Sequence, residues 1–245
     1  MAAEAIILAG GRGTRLQGVV SDVPKPLAPV QGRPFLAWLL DLLAQQGMRR
    51  VVVAAGYKAE MVHAAIGEHW HGMRIDYAVE PTPLGTGGAI AQALQRIEGE
   101  DAFVLNGDTY LELDYTRFAA AMRAQHAGLG IALARVPDVS RYGAVHVVDE
   151  RVAGFSEKGG SGAGWINAGV YWLPHSLPLP TATQAFSFED IVLRAAASQG
   201  TLRAYTMTDA FIDIGVPEDF QRAQAWRFVS QASPVASPHI SQSTL

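Results

Sequence analysis

Cysteine is absent from this chain of 245 residues, which excludes a disulfide framework and any thiolate metal site. Strong charge of one sign is missing too. The formal net charge is −4, charged residues make up 17%, and no dense basic run occurs. Nucleic acid is therefore not expected as a partner, because holding a phosphate backbone requires a basic face. No stretch approaches the roughly 18 apolar residues of a membrane span, so no membrane partner is expected. Met1-Ala2-Ala3-Glu4 carries no basic region, and the apolar run behind it soon breaks into glycines. A signal peptide is not expected, and the expected compartment is the cytoplasm. Lysine is scarce: Lys25, Lys58 and Lys158 stand among 19 basic residues, so each invites inspection.

What the chain does have is apolar bulk. At 49% hydrophobic residues it reads as a well-packed enzyme rather than a disordered chain, and its length suits one large domain. In the first half, apolar β-branched runs alternate with segments of helical period. Strands are expected at 5–9, 51–55, 74–79 and 102–106. Helices are expected from Pro34 to a stop at Gly47, at 59–66, and from about Gly88 to Ile97. Strands at 131–136, 144–148, 151–155 and 165–172 and helices at 188–198 and 217–229 complete the pattern. The expected fold class is α/β, a three-layer Rossmann-like arrangement with a mostly parallel mixed central sheet and a small antiparallel extension. One domain is expected over 1–230, with 231–245, rich in serine and carrying two prolines, as a flexible tail. In such a sheet, ligands sit beyond the carboxyl ends of strands, so the loops after 5–9, 74–79 and 102–106 should gather at one rim.

The first of those loops is the most informative. Leu8-Ala9-Gly10-Gly11-Arg12-Gly13-Thr14-Arg15-Leu16 is followed by Pro24-Lys25-Pro26. Glycine lets main-chain N–H groups approach phosphate oxygens with no Cβ in the way. Arg15 offers a bidentate fork and Lys25 a point charge. A dinucleotide fingerprint fails, because Leu16 stands where the third glycine belongs. A P-loop fails as well, since no lysine follows Gly13. Taken alone, the three glycines also fit a plain tight turn.

The motif series resembles the sugar-phosphate nucleotidyltransferases, or nucleoside-diphosphate-sugar pyrophosphorylases. It continues through Pro83-Leu84-Gly85-Thr86-Gly87-Gly88, Asn106-Gly107-Asp108, Tyr142-Gly143, Phe155-Ser156-Glu157-Lys158, Asn167-Ala168-Gly169 and Asp213-Ile214-Gly215. The phrases at 19–29 and 105–110 look most like the guanylyltransferases for D-glycero-D-manno-heptose 1-phosphate. The resemblance implies that a sugar 1-phosphate attacks the α-phosphorus of a nucleoside triphosphate and pyrophosphate leaves. Such catalysis is mostly positioning and electrostatics.

By resemblance, Arg15, Lys25 and Asp108 are catalytic, with Gly11 and Gly13 wrapping the phosphates and Arg15 holding the departing pyrophosphate. The nucleotide site is expected to comprise Leu8, Gly10, Gly11, Gly13, Glu80, Pro83, Gly85 and Thr86. Glu80 can accept from the adjacent N1–H and N2–H of guanine, which favours GTP. The same carboxylate can instead cap the helix that follows. The sugar-phosphate site is expected to comprise Asn106, Tyr142, Gly143, Glu157, Lys158 and Asn167, although Glu157-Lys158 also suits an exposed turn. Asp108 follows a strand end, and Asp213 stands in the apolar phrase Phe211-Ile212-Asp213-Ile214-Gly215, where an idle charge is costly. Together they are expected to bind Mg²⁺, which takes carboxylate, phosphate and water oxygens.

The rival substrates are N-acetylmuramate 1-phosphate with UTP and mannose 1-phosphate with GTP. A non-catalytic sugar-nucleotide sensor would have lost Arg15, Lys25, Asp108 or Asp213, and all four are present. A homodimer is compatible with the sequence. His69-Trp70-His71 is expected to be a surface loop rather than a metal pair. Ser187-Phe188-Glu189-Asp190 is expected to start a helix, not to supply a catalytic serine.

Overall fold

A computed structural model of the protein describes residues 4–11, 16, 23–182 and 184–229. The expected tail at 231–245, together with Arg12, Gly13, Thr14 and Arg15, lies outside the described residues. In the first half, β1 (Glu4–Leu8) is followed by a short hairpin of β2 (Pro29–Val30) and β3 (Arg33–Pro34). Then come α1 (Phe35–Gln45), β4 (Arg50–Ala55), α2 (Ala59–Ile66), β5 (His69–Trp70) and β6 (Met73–Val79). The half closes with α3 (Gly85–Leu94) and β7 (Asp101–Asn106).

The second half begins with β8 (Thr109–Leu113) and α4 (Tyr115–Ala124). Strands β9 (Leu129–Val136), β10 (Val145–Val148), β11 (Arg151–Phe155) and β12 (Gly164–Pro174) follow. A π-helical turn at Glu189–Leu193 runs into α5 (Arg194–Ser198). The chain then forms β13 (Leu202–Tyr205), β14 (Thr208–Asp213) and α6 (Pro217–Ala223).

Ten strands make the main sheet, in the order β10-β11-β13-β9-β12-β7-β1-β4-β6-β5. The run β7-β1-β4-β6 is parallel throughout. β12 pairs antiparallel with both β7 and β9 and so joins this half to the later strands. The fold is the mixed α/β sandwich that the sequence implies. Its layering is visible in β1, where Ala5 and Ile7 pack into one core with α1, α2 and α4, while Ile6 points into the other with α3 and α5. That alternation is why β1, β4 and β7 read as largely apolar runs, covered on both faces, whereas β6, next to the sheet edge, carries Arg74 and Asp76.

Local chemistry explains several boundaries. α1 ends in a Schellman cap, with Gly47 at φ +76°, its N–H on the Ala44 carbonyl and the Met48 N–H on the Leu43 carbonyl. α4 starts at Asp114, whose side chain accepts the Arg117 N–H at 2.9 Å. α3 begins at Gly85, three residues before its expected start, directly behind a turn in which Glu80 Oε2 accepts the Leu84 N–H. α6 stops at Ala223 rather than 229. The chain leaves the helix there so that Phe228 can stack on Trp38, with centroids 4.7 Å apart. His69 and Trp70 form the edge strand β5 rather than a plain loop. Trp70 Nε1 and His71 Nε2 lie 2.9 and 3.2 Å from Oδ1 of the buried Asp41. Among the described residues no helix is long and apolar enough to cross a membrane.

Candidate active site

The carboxyl ends of the four parallel strands open onto one cavity of about 580 Å³. β1 contributes Leu8, Gly10 and Gly11, β4 contributes Gly56 and Tyr57, β6 leads into Glu80 to Pro83, Gly85 and Thr86, and β7 leads into Asn106, Gly107 and Asp108. Backbone bonds continue past the strand ends and fix this rim. The Ala9 N–H donates to Ala54, Glu80 to Ala55 and Gly107 to Leu8, at 2.7 to 2.9 Å. Leu8, Gly10, Gly11, Glu80, Pro83, Gly85 and Thr86 thus meet around one space, as the topology requires. Gly13 and Arg15 are outside the described residues.

The Glu80 carboxylate braces the turn before α3 and also lines the cavity. Its Oε2 accepts the Leu84 N–H at 2.8 Å, which caps the entry to α3. Its Oε1 faces the glycine loop, where a Cβ on Gly10 would stand 3.0 Å away. Burial pushes the Glu80 carboxyl above its usual range, and the Leu84 N–H pulls it partly back.

Lys25 sits in a 3₁₀ turn, Lys25–Leu27, between two prolines. Its side chain is 12% exposed, and its ammonium pairs with Asp108 Oδ2. Asp213 reaches the same spot by a different route. β14 pairs antiparallel with β8, with Asp213 opposite Thr109, so Asp213 arrives beside Asp108 from the far end of the chain. Asp213 Oδ1 accepts the Gly215 N–H at 2.5 Å. Burial and the charge of Asp108 push the Asp213 carboxyl up, and Lys25, the Gly215 N–H and Arg141 oppose that shift.

A second cavity, of about 160 Å³, lies alongside. Tyr142, Gly143, Glu157, Lys158 and Asn167 line it. Asn106 lines the larger cavity instead, at the junction. The junction is built by a bulge in β12 between Asn167 and Val170. Gly169 adopts φ +69° there and donates its N–H to Asn167 Oδ1 at 2.9 Å. A Cβ at that position would fall 2.5 Å from Asn106 Nδ2, which explains the glycine in Asn167-Ala168-Gly169.

A further acid belongs to this site, although its sequence context marks only a helix start. Glu189 lines both cavities. Ser187 does cap the turn, accepting the Asp190 N–H at 3.1 Å. Glu189 turns inward instead, and its Oε2 accepts the Thr86 hydroxyl at 2.8 Å. The sequence signal was the surplus acid, since one hydroxyl already suffices to cap the turn. Tyr57 was missed for a simpler reason: no motif marks the loop after β4.

Residues 4–227 match the nucleotidyl transferase family. The D-glycero-alpha-D-manno-heptose 1-phosphate guanylyltransferase of Aneurinibacillus thermoaerophilus is 39% identical over 222 residues, spanning 90% of this chain and 96% of that protein. The mannose-1-phosphate guanylyltransferase of Mycobacterium tuberculosis is 34% identical over 91% of this chain, but the match spans only 64% of that longer protein. In three dimensions, HddC from Yersinia pseudotuberculosis complexed with GMP-PN superposes with a TM-score of 0.80 at 39% identity, covering 91% of this chain and 98% of that one.

Proposed function

Because the chain belongs to the nucleotidyl transferase family, we propose that it transfers GMP from GTP to D-glycero-α-D-manno-heptose 1-phosphate. An oxygen of the sugar 1-phosphate attacks the α-phosphorus, the bond from that phosphorus to the bridging oxygen breaks, and pyrophosphate leaves with its electron pair. The observation that carries this reading is the 39% identity to a heptose 1-phosphate guanylyltransferase over 96% of its length. Glu80, held by Leu84 at the wall of the larger cavity, supports the choice of base. Each carboxylate oxygen has two lone pairs, so the cap leaves room to accept from guanine.

The larger cavity then takes GTP. The glycine loop with Arg15 wraps the phosphates, and Pro83, Gly85 and Thr86 close over the nucleoside. The smaller cavity takes the sugar phosphate, where Lys158 meets the phosphate, Glu157 accepts sugar hydroxyls and Asn167 both donates and accepts. Lys25, tethered by Asp108, neutralises charge near the attacked phosphorus without having to reorganise during the step. Asp108 and Asp213 suit a shared Mg²⁺. Burial and the charge of Asp108 together raise the Asp213 carboxyl, and a divalent cation between the two acids would oppose both effects. Among the described residues no group of three or more acidic, histidine or cysteine side chains could hold a metal. An ion here would complete its shell with phosphate oxygens and water, as Mg²⁺ does. When bound, it supplies Lewis-acid stabilisation of phosphate charge.

The test is a matrix of GTP, UTP, dTTP and ATP against heptose, mannose and N-acetylmuramate 1-phosphates, scored by Mg²⁺-dependent pyrophosphate release. Highest kcat/KM for GTP with the heptose phosphate is expected. Preference for UTP overturns the base assignment, and preference for mannose 1-phosphate overturns the sugar. No turnover with any pair leaves the sensor reading.

A further inference from the structure

Arg141 lies in the turn between β9 and β10, next to Tyr142 of the smaller cavity, and its guanidinium is shared unevenly. Nη1 is ion-paired with Asp219 Oδ2. Asp219, on α6, is buried at 3% exposure and also takes Arg222 Nη1 on its other oxygen. The Arg141 guanidinium lies over the Tyr142 ring, 4.4 Å from its centroid. These contacts account for one side of the fork. Nη2 is shielded from solvent and has no hydrogen-bond partner, an expensive state for a charged donor. It faces Asp213, whose Oδ2 is 3.6 Å away.

We infer that Arg141 is a positioning residue for Asp213. It is clamped by Asp219 on one nitrogen and aimed by the other at the oxygen of Asp213 that Gly215 leaves free. Asp213 Oδ1 is already fixed by the Gly215 N–H, so Arg141 supplies the second anchor and sets the plane of the carboxylate. Orientation of this kind by outer partners governs how well a ligand serves a metal. The turn carrying Arg141-Tyr142 would then deliver Tyr142 to the sugar phosphate and Arg141 to the metal ligand. An alternative in which Arg141 only staples α6 to the domain uses Nη1 alone and leaves the burial of Nη2 without a purpose.

The inference rests on Asp213 being a ligand of the divalent ion, and the experiment separates the two. Mn²⁺ is titrated into wild type, Asp213→Asn, Arg141→Lys and Arg141→Gln, each with a fixed concentration of an α,β-methylene analogue of GTP, and free Mn²⁺ is read by electron paramagnetic resonance. An analogue-only blank is subtracted, and folding is monitored by thermal denaturation. Arg141→Lys keeps a charge to pair with Asp219 but loses the rigid planar fork whose two nitrogens face the two acids separately. Both Arg141 variants are expected to bind Mn²⁺ about 10- to 100-fold more weakly. If Arg141→Gln fails to fold, Arg141→Lys decides. Wild-type Mn²⁺ affinity in Arg141→Lys, with affinity lost in Asp213→Asn, overturns the role of Arg141. Wild-type affinity in Asp213→Asn overturns the metal reading itself, and the inference with it.

Discussion

The hydroxyl of Thr86, on the first turn of α3, donates to Glu189 Oε2 at 2.8 Å and also accepts the Phe188 N–H at 2.9 Å. Thr86 lines the larger cavity, and Glu189 lines both. This one bond therefore joins the proposed nucleotide and sugar sites. Residues that share a hydrogen bond do not contribute additively, so Thr86→Val and Glu189→Gln should be coupled. A double-mutant cycle on kcat/KM for the sugar phosphate, at saturating GTP, should show an interaction of about 1 kcal/mol. Strictly additive effects would mean that the bond is a packing detail.

Lys25 and Asp108 are paired across the mouth of the larger cavity. Replacing Lys25 with alanine removes a fixed charge donor from beside the proposed reacting phosphorus and leaves Asp108 without its cation. Turnover is expected to fall on the order of 10²- to 10³-fold. The KM for GTP should rise much less, since other groups also hold the triphosphate. Steady-state pyrophosphate release measures both, and a loss confined to KM would demote Lys25 to a binding residue. Arg15→Ala carries the same expected loss of turnover.

Glu80 gives a pH dependence whose direction is set by burial. Its carboxyl is raised, so on acidification it takes up a proton at a pH where an ordinary glutamate is still ionised. Protonation removes an acceptor from the base site. The KM for GTP should therefore climb as pH falls, starting above the usual carboxylate range, and Glu80→Gln should flatten that limb. Linkage has the opposite sign. A raised pKa in the folded state contributes stability that is full below the unfolded value and lost as pH rises through the folded one. Glu80→Gln should consequently not destabilise the protein at neutral pH. A KM limb unchanged in Glu80→Gln would clear Glu80 of base recognition.

The parallel half of the fold was legible because most of its strands are buried on both faces. Runs such as Val51 to Ala55 and the helix Ala59–Ile66 appear where periodicity puts them. β8 and β14 were not, because each has its partner remote in sequence: Phe211 and Ile212 pair with Leu111 and Tyr110, about a hundred residues away along the chain. Yet that pair brings Asp213 to Asp108, so the acid was identified by its apolar surroundings before the element carrying it could be. Glu189 escaped for a related reason. It points into the site from a π-helical turn, whose period no helical pattern anticipates. The Asp114 cap of α4 carries a sequence signal of its own, an aspartate directly before Tyr115-Thr116-Arg117.

Gly87, in the first turn of α3 beside the proposed nucleotide site, and Gly11, within that site, should fail in different ways when changed to alanine. At Gly87, an added Cβ would lie 2.0 Å from the Phe186 ring. The Gly87 N–H is bonded to the Phe186 carbonyl at 2.9 Å, so the half-buried Phe186 ring must swing away to make room. Overpacking of this sort costs about 1 to 3 kcal/mol, and Thr86 and Glu189 on either side of the contact would be displaced with it. Gly87→Ala should thus lower both the melting temperature and the turnover. At Gly11, nothing among the described residues lies within 4 Å of an added Cβ. Gly11→Ala should melt like the wild type but bind GTP more weakly, because the methyl group intrudes where a phosphate is proposed to approach the backbone. Differential scanning fluorimetry with and without GTP separates the two. A Gly11→Ala protein that keeps full affinity for GTP would remove the glycine loop from the phosphate site.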